Sequence, residues 1–261
     1  MMAKIDRMTR IKGQMSFTVK PFTMLMMIVL LLFLLMFLNS SEVKKEKAQR
    51  DLELRSAATD VLLILANSED CLAYQLPTGE SAYANIVDVK KLDSFSLEYQ
   101  GIEPMCARNY DFGFRVEVSE IVMTDLGSRV GKTWTFGRGN FSREYYDNKM
   151  SYIMPIAIKY SEKEVGLGRL NLTVVDGQLD RIAGFLDRAC MMGKSSCKNQ
   201  SSAKISLDYP LSYSEGELCI GLKNKDCRKL LCELDMKDIK SKGTYRLATS
   251  FEYPNRLIVR V

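Results

Sequence analysis

Hydrophobic and polar positions change rhythm three times along this chain. Residues 22–38, FTMLMMIVLLLFLLMFL, are apolar throughout except at Thr23. So uniform a run has no period, and its length decides its meaning. With Pro21 it rises roughly 27 Å as a helix, close to the hydrocarbon thickness of a bilayer. A helix is the way a single segment satisfies its own backbone there, so 21–38 is expected to be a transmembrane helix. Over 42–67 the rhythm becomes three-and-four. That stretch has no Gly or Pro, and Leu54, Ala57, Ala58, Val61, Leu62 and Leu65 share one helical face. It either continues the apolar helix or is broken from it at Asn39-Ser40-Ser41, whose side chains compete for backbone hydrogen bonds.

Beyond Cys71 the period falls to two. In DFGFRVEV, Phe112, Phe114, Val116 and Val118 face one way and Gly113, Arg115 and Glu117 the other, the pattern of a half-buried strand. Residues 133–136 alternate as well. Residues 151–160 and 168–175 read as two strands of a hairpin turning through Ser161-Glu162-Lys163-Glu164, and Pro155 suits an edge strand. After Asp176-Gly177 a short amphipathic helix puts Leu179, Ile182, Ala183 and Leu186 on one face. Strands are expected again near 204–207, 217–222, 245–251 and 257–261. The fold class is therefore α+β: a long N-terminal transmembrane and amphipathic helix packed on a mostly antiparallel sheet. The organisation that follows is a basic cytosolic leader at 1–20, the span at 21–38, a helical stalk at 39–70 and an extracytoplasmic α+β domain at 71–261.

Charge bears on the orientation. Residues 1–38 carry Lys4, Arg7, Arg10, Lys12 and Lys20 against Asp6 alone, a net of +4, and the remainder is close to neutral with 32 basic and 31 acidic side chains. A basic leader ahead of the span favours the N-terminus inside. The near-neutral remainder lacks the positive footprint needed to bind phosphates, so nucleic acid is not expected as a partner. A removed signal peptide is the competing reading of the apolar run, but Phe37-Leu38-Asn39-Ser40-Ser41 offers no A-x-A cleavage pattern.

The chain has no histidine. That removes Ser-His-Asp and Cys-His catalysis, His-ligated metals and histidine pH switching. All seven cysteines, Cys71, Cys106, Cys190, Cys197, Cys219, Cys227 and Cys232, follow the apolar run, which suits export to an oxidising compartment. Their connectivity is not readable from spacing; the first expectation is Cys190 with Cys197 and the second is Cys71 with Cys106. Cys219-x7-Cys227-x4-Cys232 lacks the C-x2-C knuckle of most zinc sites, so neither metal nor cofactor is expected. Sequons at Asn39, Asn140, Asn171 and Asn199 are glycosylation candidates. Asp176/Asp180 and Asp235/Asp238 read as solvated surface, and the aromatics Trp134, Tyr145, Tyr146, Tyr152, Tyr160, Tyr209 and Tyr213 as core or cross-strand pairs. Gly137-Arg138-Gly139 is too short for a phosphate loop. No spacing singles out a catalytic group, so the chain is not expected to be an enzyme.

The junction Lys12-Gly13-Gln14-Met15-Ser16 stands after the basic leader and before the apolar run. This layout resembles the class III signal peptides of archaeal-type type IV prepilins. The resemblance covers roughly residues 10–65 in layout and Lys12, Gly13, Gln14 and Ser16 in motif. It implies a prepilin peptidase that reads Lys12 and Gly13 and cuts before Gln14, leaving Gln14 and Ser16 at the start of the mature chain. It further implies an apolar helix that packs with its copies or with related subunits, and a β-rich head, often disulfide-bonded and glycosylated. Thr18 stands where the family often has glutamate, and Lys20 and Pro21 precede the apolar helix, with Pro21 suited to a helix start. These departures leave room for a minor pilin or pseudopilin, or for a pilin-like membrane protein that never polymerises. The alternative is an uncleaved signal-anchored ectodomain that binds a ligand or protein at the cell surface.

Overall fold

The computed structural model describes residues 5–76, 82–108, 110–125, 127–139, 141, 144–195, 200–222, 225–252 and 256–261, without the side chains of 5–21, 39–41, 43, 46 and 195. The chain forms two units, Met1–Glu53 and Leu54–Val261.

Helix α1 runs Ile5–Asn67. It begins upstream of Pro21 and passes without a break through Asn39-Ser40-Ser41, so the continuous-helix alternative holds. In the first unit every side chain at 22–38 is exposed. No helix, over its described residues, is long and apolar enough to cross a membrane. In the second unit the three-and-four face behaves as its spacing predicts: Leu54, Ala58, Val61, Leu62 and Leu65 are buried, with Ala57 packed beside them. The helix closes with Ser68 N–H donating to Ile64 O at 2.9 Å and Leu72 N–H to Leu65 O at 3.1 Å, which satisfies two of the carbonyls a helix end leaves over.

Strands β1 (Ala73–Gln75) and β2 (Ala82–Asp88) lead into α2 (Val89–Glu98), a helix not anticipated from sequence. Asp88 caps it, its side chain accepting from Lys90 N–H at 2.8 Å, and it buries Leu92 and Phe95; a cap of this kind is worth about 1 kcal/mol. After the loop 99–112 come β3 (Gly113–Thr124), β4 (Gly127–Gly137), β5 (Tyr146–Ser161) and β6 (Glu164–Gly177). These make a six-stranded sheet in the order β1-β2-β5-β6-β3-β4. β5 and β6 form the expected hairpin. Pro155 is not on an edge strand, because β5 lies between β2 and β6. It is tolerated because β2 pairs only with 157–159, in parallel, so the backbone at Pro155 has no partner on that side.

Helix α3 (Gln178–Ser195) buries Leu179, Ile182, Ala183 and Leu186, the face its sequence predicts. Then follow β7 (Gln200–Leu207), β8 (Leu211–Ser214), β9 (Glu217–Ile220), β10 (Asp226–Lys229), β11 (Glu233–Asp235), β12 (Gly243–Glu252) and β13 (Arg256–Arg260). They make a three-stranded sheet, β10-β9-β8, and a four-stranded one, β11-β13-β12-β7. The C-terminal strand is tied in, as expected, between β11 and β12. The α+β class holds, but with three sheets in place of one, and with β2–β5 and β11–β13 parallel.

Two apolar cores result. One packs the end of α1 and α2 on the large sheet, centred on Phe114, Val116, Val118, Trp134, Phe136, Leu170 and Leu172. The other packs α3 against the two smaller sheets, around Leu179, Ile182, Leu186, Leu207, Leu218, Ile220 and Leu247.

Candidate functional site

Seven charged side chains gather where elements of the two cores meet. Glu103 and Arg108 come from the loop 99–112, Arg138 from the end of β4, Asp180 and Asp187 from α3, and Asp226 and Arg228 from β10. Each is between 0% and 4% exposed. Local geometry aims them. Gly137 has φ +93°, and a Cβ there would meet Phe114 O at 2.6 Å. Glycine is the residue that tolerates this conformation. With Gly137 N–H bonded to Tyr99 O and Arg138 N–H to Phe114 O, the strand end turns Arg138 inward. Gly113 leaves the space that the Arg138–Asp180 pair fills, since a Cβ there would lie 2.5 Å from Asp180 Oδ1 and 2.7 Å from Arg138 Nη1. On β10, Asp226 and Arg228 alternate inward with Cys227 between them, as strand period requires.

Arg138 is the hub. Nη1 donates to Asp180 Oδ1, Nη2 donates to Asp226 Oδ2 at 2.6 Å, and the guanidinium lies over the Phe141 ring at 5.3 Å. Arg108 donates from Nε to Asp187 Oδ2 at 3.0 Å and from Nη2 to Lys229 O at 2.7 Å. Asp187 Oδ1 accepts from Leu231 N–H at 2.9 Å. Arg228 lies 3.4 Å from Asp180 Oδ1, 3.4 Å from Glu103 Oε2 and 3.9 Å from Asp187 Oδ2. Neither oxygen of Glu103 has a hydrogen-bond partner, nor do Nη1 of Arg108 and Nε of Arg138 and Arg228. Burial pushes the Asp180 carboxyl up against the pull of Arg138 and Arg228, with Glu103 adding to the rise. Burial also pushes Asp187 up, against Arg108 and Arg228. For Arg138 burial acts downward, but Asp180, Asp226 and Glu103 outweigh it and hold the guanidinium above its ordinary value. The directions agree once charge is counted: among the described residues four carboxyl groups face three guanidinium groups, so full ionisation of these seven would leave one buried negative charge uncompensated.

Two surface features stand apart from this cluster. Asp93 accepts from Lys132 Nζ and from Trp134 Nε1, each at 2.6 Å, which holds its carboxyl below the usual range. A groove of about 340 Å³ is lined by Tyr74, Leu76, Tyr83, Ile86, Lys159, Glu162 and Val165, with Tyr74 and Tyr83 stacked and Lys159 over Tyr74.

The residues expected to carry function are scattered. Lys12, Gly13, Gln14 and Ser16 lie on α1, with their side chains outside the described residues. Asn39 is also on α1 with its side chain undescribed, and Asn140 and Asn199 lie outside the described residues. Asn171 sits mid-strand in β6, half-buried, with Oδ1 unpartnered. Cys71 pairs with Cys106, as expected. Cys190 does not pair with Cys197: it is bonded to Cys232, because the inward face of α3 puts Cys190 in the second core, where Cys232 also lies. Cys219 and Cys227 face each other directly across β9 and β10 and form the third disulfide. Glu217 lies close enough to those two sulfurs to complete a three-ligand set, but both sulfurs are held in that bond. Cys197 is outside the described residues. Asp235 and Asp238 are exposed, as read, but Asp176 and Asp180 are buried. The first accepts from Arg181 at 3.2 Å and the second from Arg138. The cluster was missed because its members lie far apart in the chain. The one local signal was an arginine between two glycines at the end of an alternating strand.

No protein-family model matches the chain, and neither a curated protein nor a solved structure does.

Proposed function

We propose that this chain is a single-pass surface protein with its N-terminus inside, and that it serves as a pilin-like structural or assembly subunit, a minor pilin or pseudopilin, of a filament or secretion apparatus. The observation that carries the reading is the state of α1. At 22–38 all seventeen side chains are exposed and only Thr23 is polar. Water solvates such a surface poorly. Seventeen helical residues rise roughly 26 Å, at the short end of a membrane span. The same helix goes on to bury Leu54–Leu65 positions in the head. The three disulfides support an oxidising compartment for that head, and the basic leader supports the orientation. The role is structural: the helix anchors the chain and packs against copies or related subunits, and the head is displayed. The reading keeps a prepilin peptidase as the processing partner, with Lys12, Gly13, Gln14 and Ser16 as its motif.

The test is the N-terminus of the mature protein, read by mass spectrometry of the membrane fraction from the native host. A start at Gln14, lost when Gly13 is replaced by a bulky residue, supports prepilin processing. A start at Met1 or Met2 overturns it. The groove beside Tyr74 and Tyr83 favours a second reading, an uncleaved anchor whose head binds a small ligand, since its volume is that of a modest binding cleft. In that case Gly13 variants keep function, and changes at Tyr74 or Tyr83 remove it.

A further inference from the structure

We propose that the buried cluster of Glu103, Arg108, Arg138, Asp180, Asp187, Asp226 and Arg228 holds one shared proton at neutral pH, and that losing this proton loosens the seam between the two cores.

The argument begins with charge. Three guanidinium groups stay protonated at any pH of interest, and four carboxyl groups surround them. All seven lie at 4% exposure or less. An extra negative charge at such a site faces a desolvation penalty of several kcal/mol per ion, and a carboxyl group escapes it by taking up a proton. Among the described residues, the partners that could screen it are otherwise engaged. Lys229 contributes its carbonyl and Leu231 its N–H, and Arg181, on α3, is taken up by Asp147 and Asp176. Arg188, also on α3, is paired with Asp111 of the loop 99–112, and the Tyr145 phenol is pushed up by its burial and by nearby negative charge that includes Asp226. Glu103 is the least satisfied member, fully buried with both oxygens lacking a hydrogen bond. The upward shifts of Asp180 and Asp187 agree with a retained proton.

Position gives the proton a consequence. Glu103, Arg108 and Arg138 belong to segments that flank the first core, while Asp180, Asp187, Asp226 and Arg228 sit on α3 and β10 of the second. β10 is a strand of four residues at the edge of its sheet, paired among the described residues to β9 alone. An uncompensated charge in the cluster is relieved by admitting water, and the short strand β10 is the element that yields to let water in while both cores stay intact.

The sign follows from linkage. A native state that keeps a proton which the unfolded chain loses is most stable at low pH. The loss begins near the unfolded carboxylate pKa of about 4 and continues until the native cluster itself releases the proton. Across that window one retained proton lowers the folding constant about tenfold per pH unit.

The experiment is urea unfolding of the full chain in detergent micelles across pH 5 to 9, with infrared spectra in D2O over the same range. The expected result is a tenfold fall per pH unit in the wild type from pH 5 until the cluster releases its proton, with a protonated-carboxyl C=O band that fades where the fall levels off. In Glu103→Gln, where three carboxyl groups face three guanidinium groups, both the slope and the band are gone. A wild type that is flat above pH 5 and lacks the band overturns the proposal, and so does a Glu103→Gln protein that keeps them. If Glu103→Gln does not fold, Asp226→Asn restores the same balance and is read the same way. Amide exchange supplies the seam: protection of 226–229 falls with rising pH before that of 170–174. Equal loss in both would remove the loosening step. None of these readouts depends on whether the chain is processed or polymerises.

Discussion

Replacing Arg138 by methionine tests the largest energetic claim made for the head. Methionine keeps much of the length and removes the charge. Asp226 then loses its guanidinium partner, and Asp180 keeps only Arg228 at 3.4 Å. Breaking a buried pair from one side costs about 3–5 kcal/mol, because the remaining charge is left in a dry site. A domain of about two hundred residues melts some 2–4 °C lower per kcal/mol, so the expected fall in Tm is about 6–20 °C. The assay is thermal and urea unfolding of the full chain in one detergent, followed by far-UV circular dichroism. Adding Asp226→Asn to Arg138→Met should recover part of the loss, since the amide carries no charge. A fall equivalent to under about 1 kcal/mol, the worth of an exposed pair, would falsify the burial on which the cluster rests.

Other outcomes follow from the same structure. Non-reducing peptide mapping should recover Cys71–Cys106, Cys190–Cys232 and Cys219–Cys227; a peptide joining Cys190 to Cys197 would contradict the core packing of α3. By loop-closure entropy, removing Cys190–Cys232 should cost about 4 kcal/mol and removing Cys219–Cys227 about 2.5, an order that denaturant titration checks. Leu65→Ala should cost about 2–5 kcal/mol, because Leu65 is fully buried in the first core; an unchanged urea midpoint would mean that the end of α1 is not packed there. Asp93, held low by Lys132 and Trp134, contributes stability that is present above the unfolded carboxylate pKa of about 4 and lost as pH falls through its lowered native value. Asp93→Asn should therefore lower stability by a constant amount above pH 5 and flatten the acid limb, leaving the most acid end unchanged.

Much of the scaffold was legible because period alone decides it. Leu54 to Leu65 at three-and-four spacing, Phe112 to Val118 at two, and Leu179 to Leu186 at three-and-four all bury the faces that their spacing predicts. Helix α2 was not legible: VKKLDSFSLE buries Leu92 and Phe95, with Val89 packed beside them, and its start depends on a single Asp88 cap. Pro155 misled because the rule against proline concerns a lost hydrogen bond, and β2 stops short of asking for one. The cluster was least legible of all. Asp180 reads as surface by residue type, and what buries it are Arg138, forty-two residues away, and Arg228, forty-eight away. Ion pairs across such distances leave no trace in local pattern, whereas a helix writes its face every turn.

The disulfides and the cluster divide the work of holding the head together, and they meet at β10. A four-residue edge strand has few backbone bonds of its own and no apolar residue facing inward, since its inward positions are Asp226 and Arg228. Hydrophobic burial therefore does little to retain it. Cys227 ties it to β9 from the outward side, and the ion pairs hold it from the inward side. Each restraint makes the other effective. The disulfide limits how far β10 can move when charges are exposed, and the buried pairs fix the register in which the two sulfurs face each other. Reducing the protein at pH 6 should then leave β10 in place on its ion pairs, while reduction at pH 9 should release it. Iodoacetamide labelling of Cys227 at the two pH values, at matched thiolate exposure time, separates these cases. Equal labelling relative to an unfolded control would mean that the strand is held by the disulfide alone.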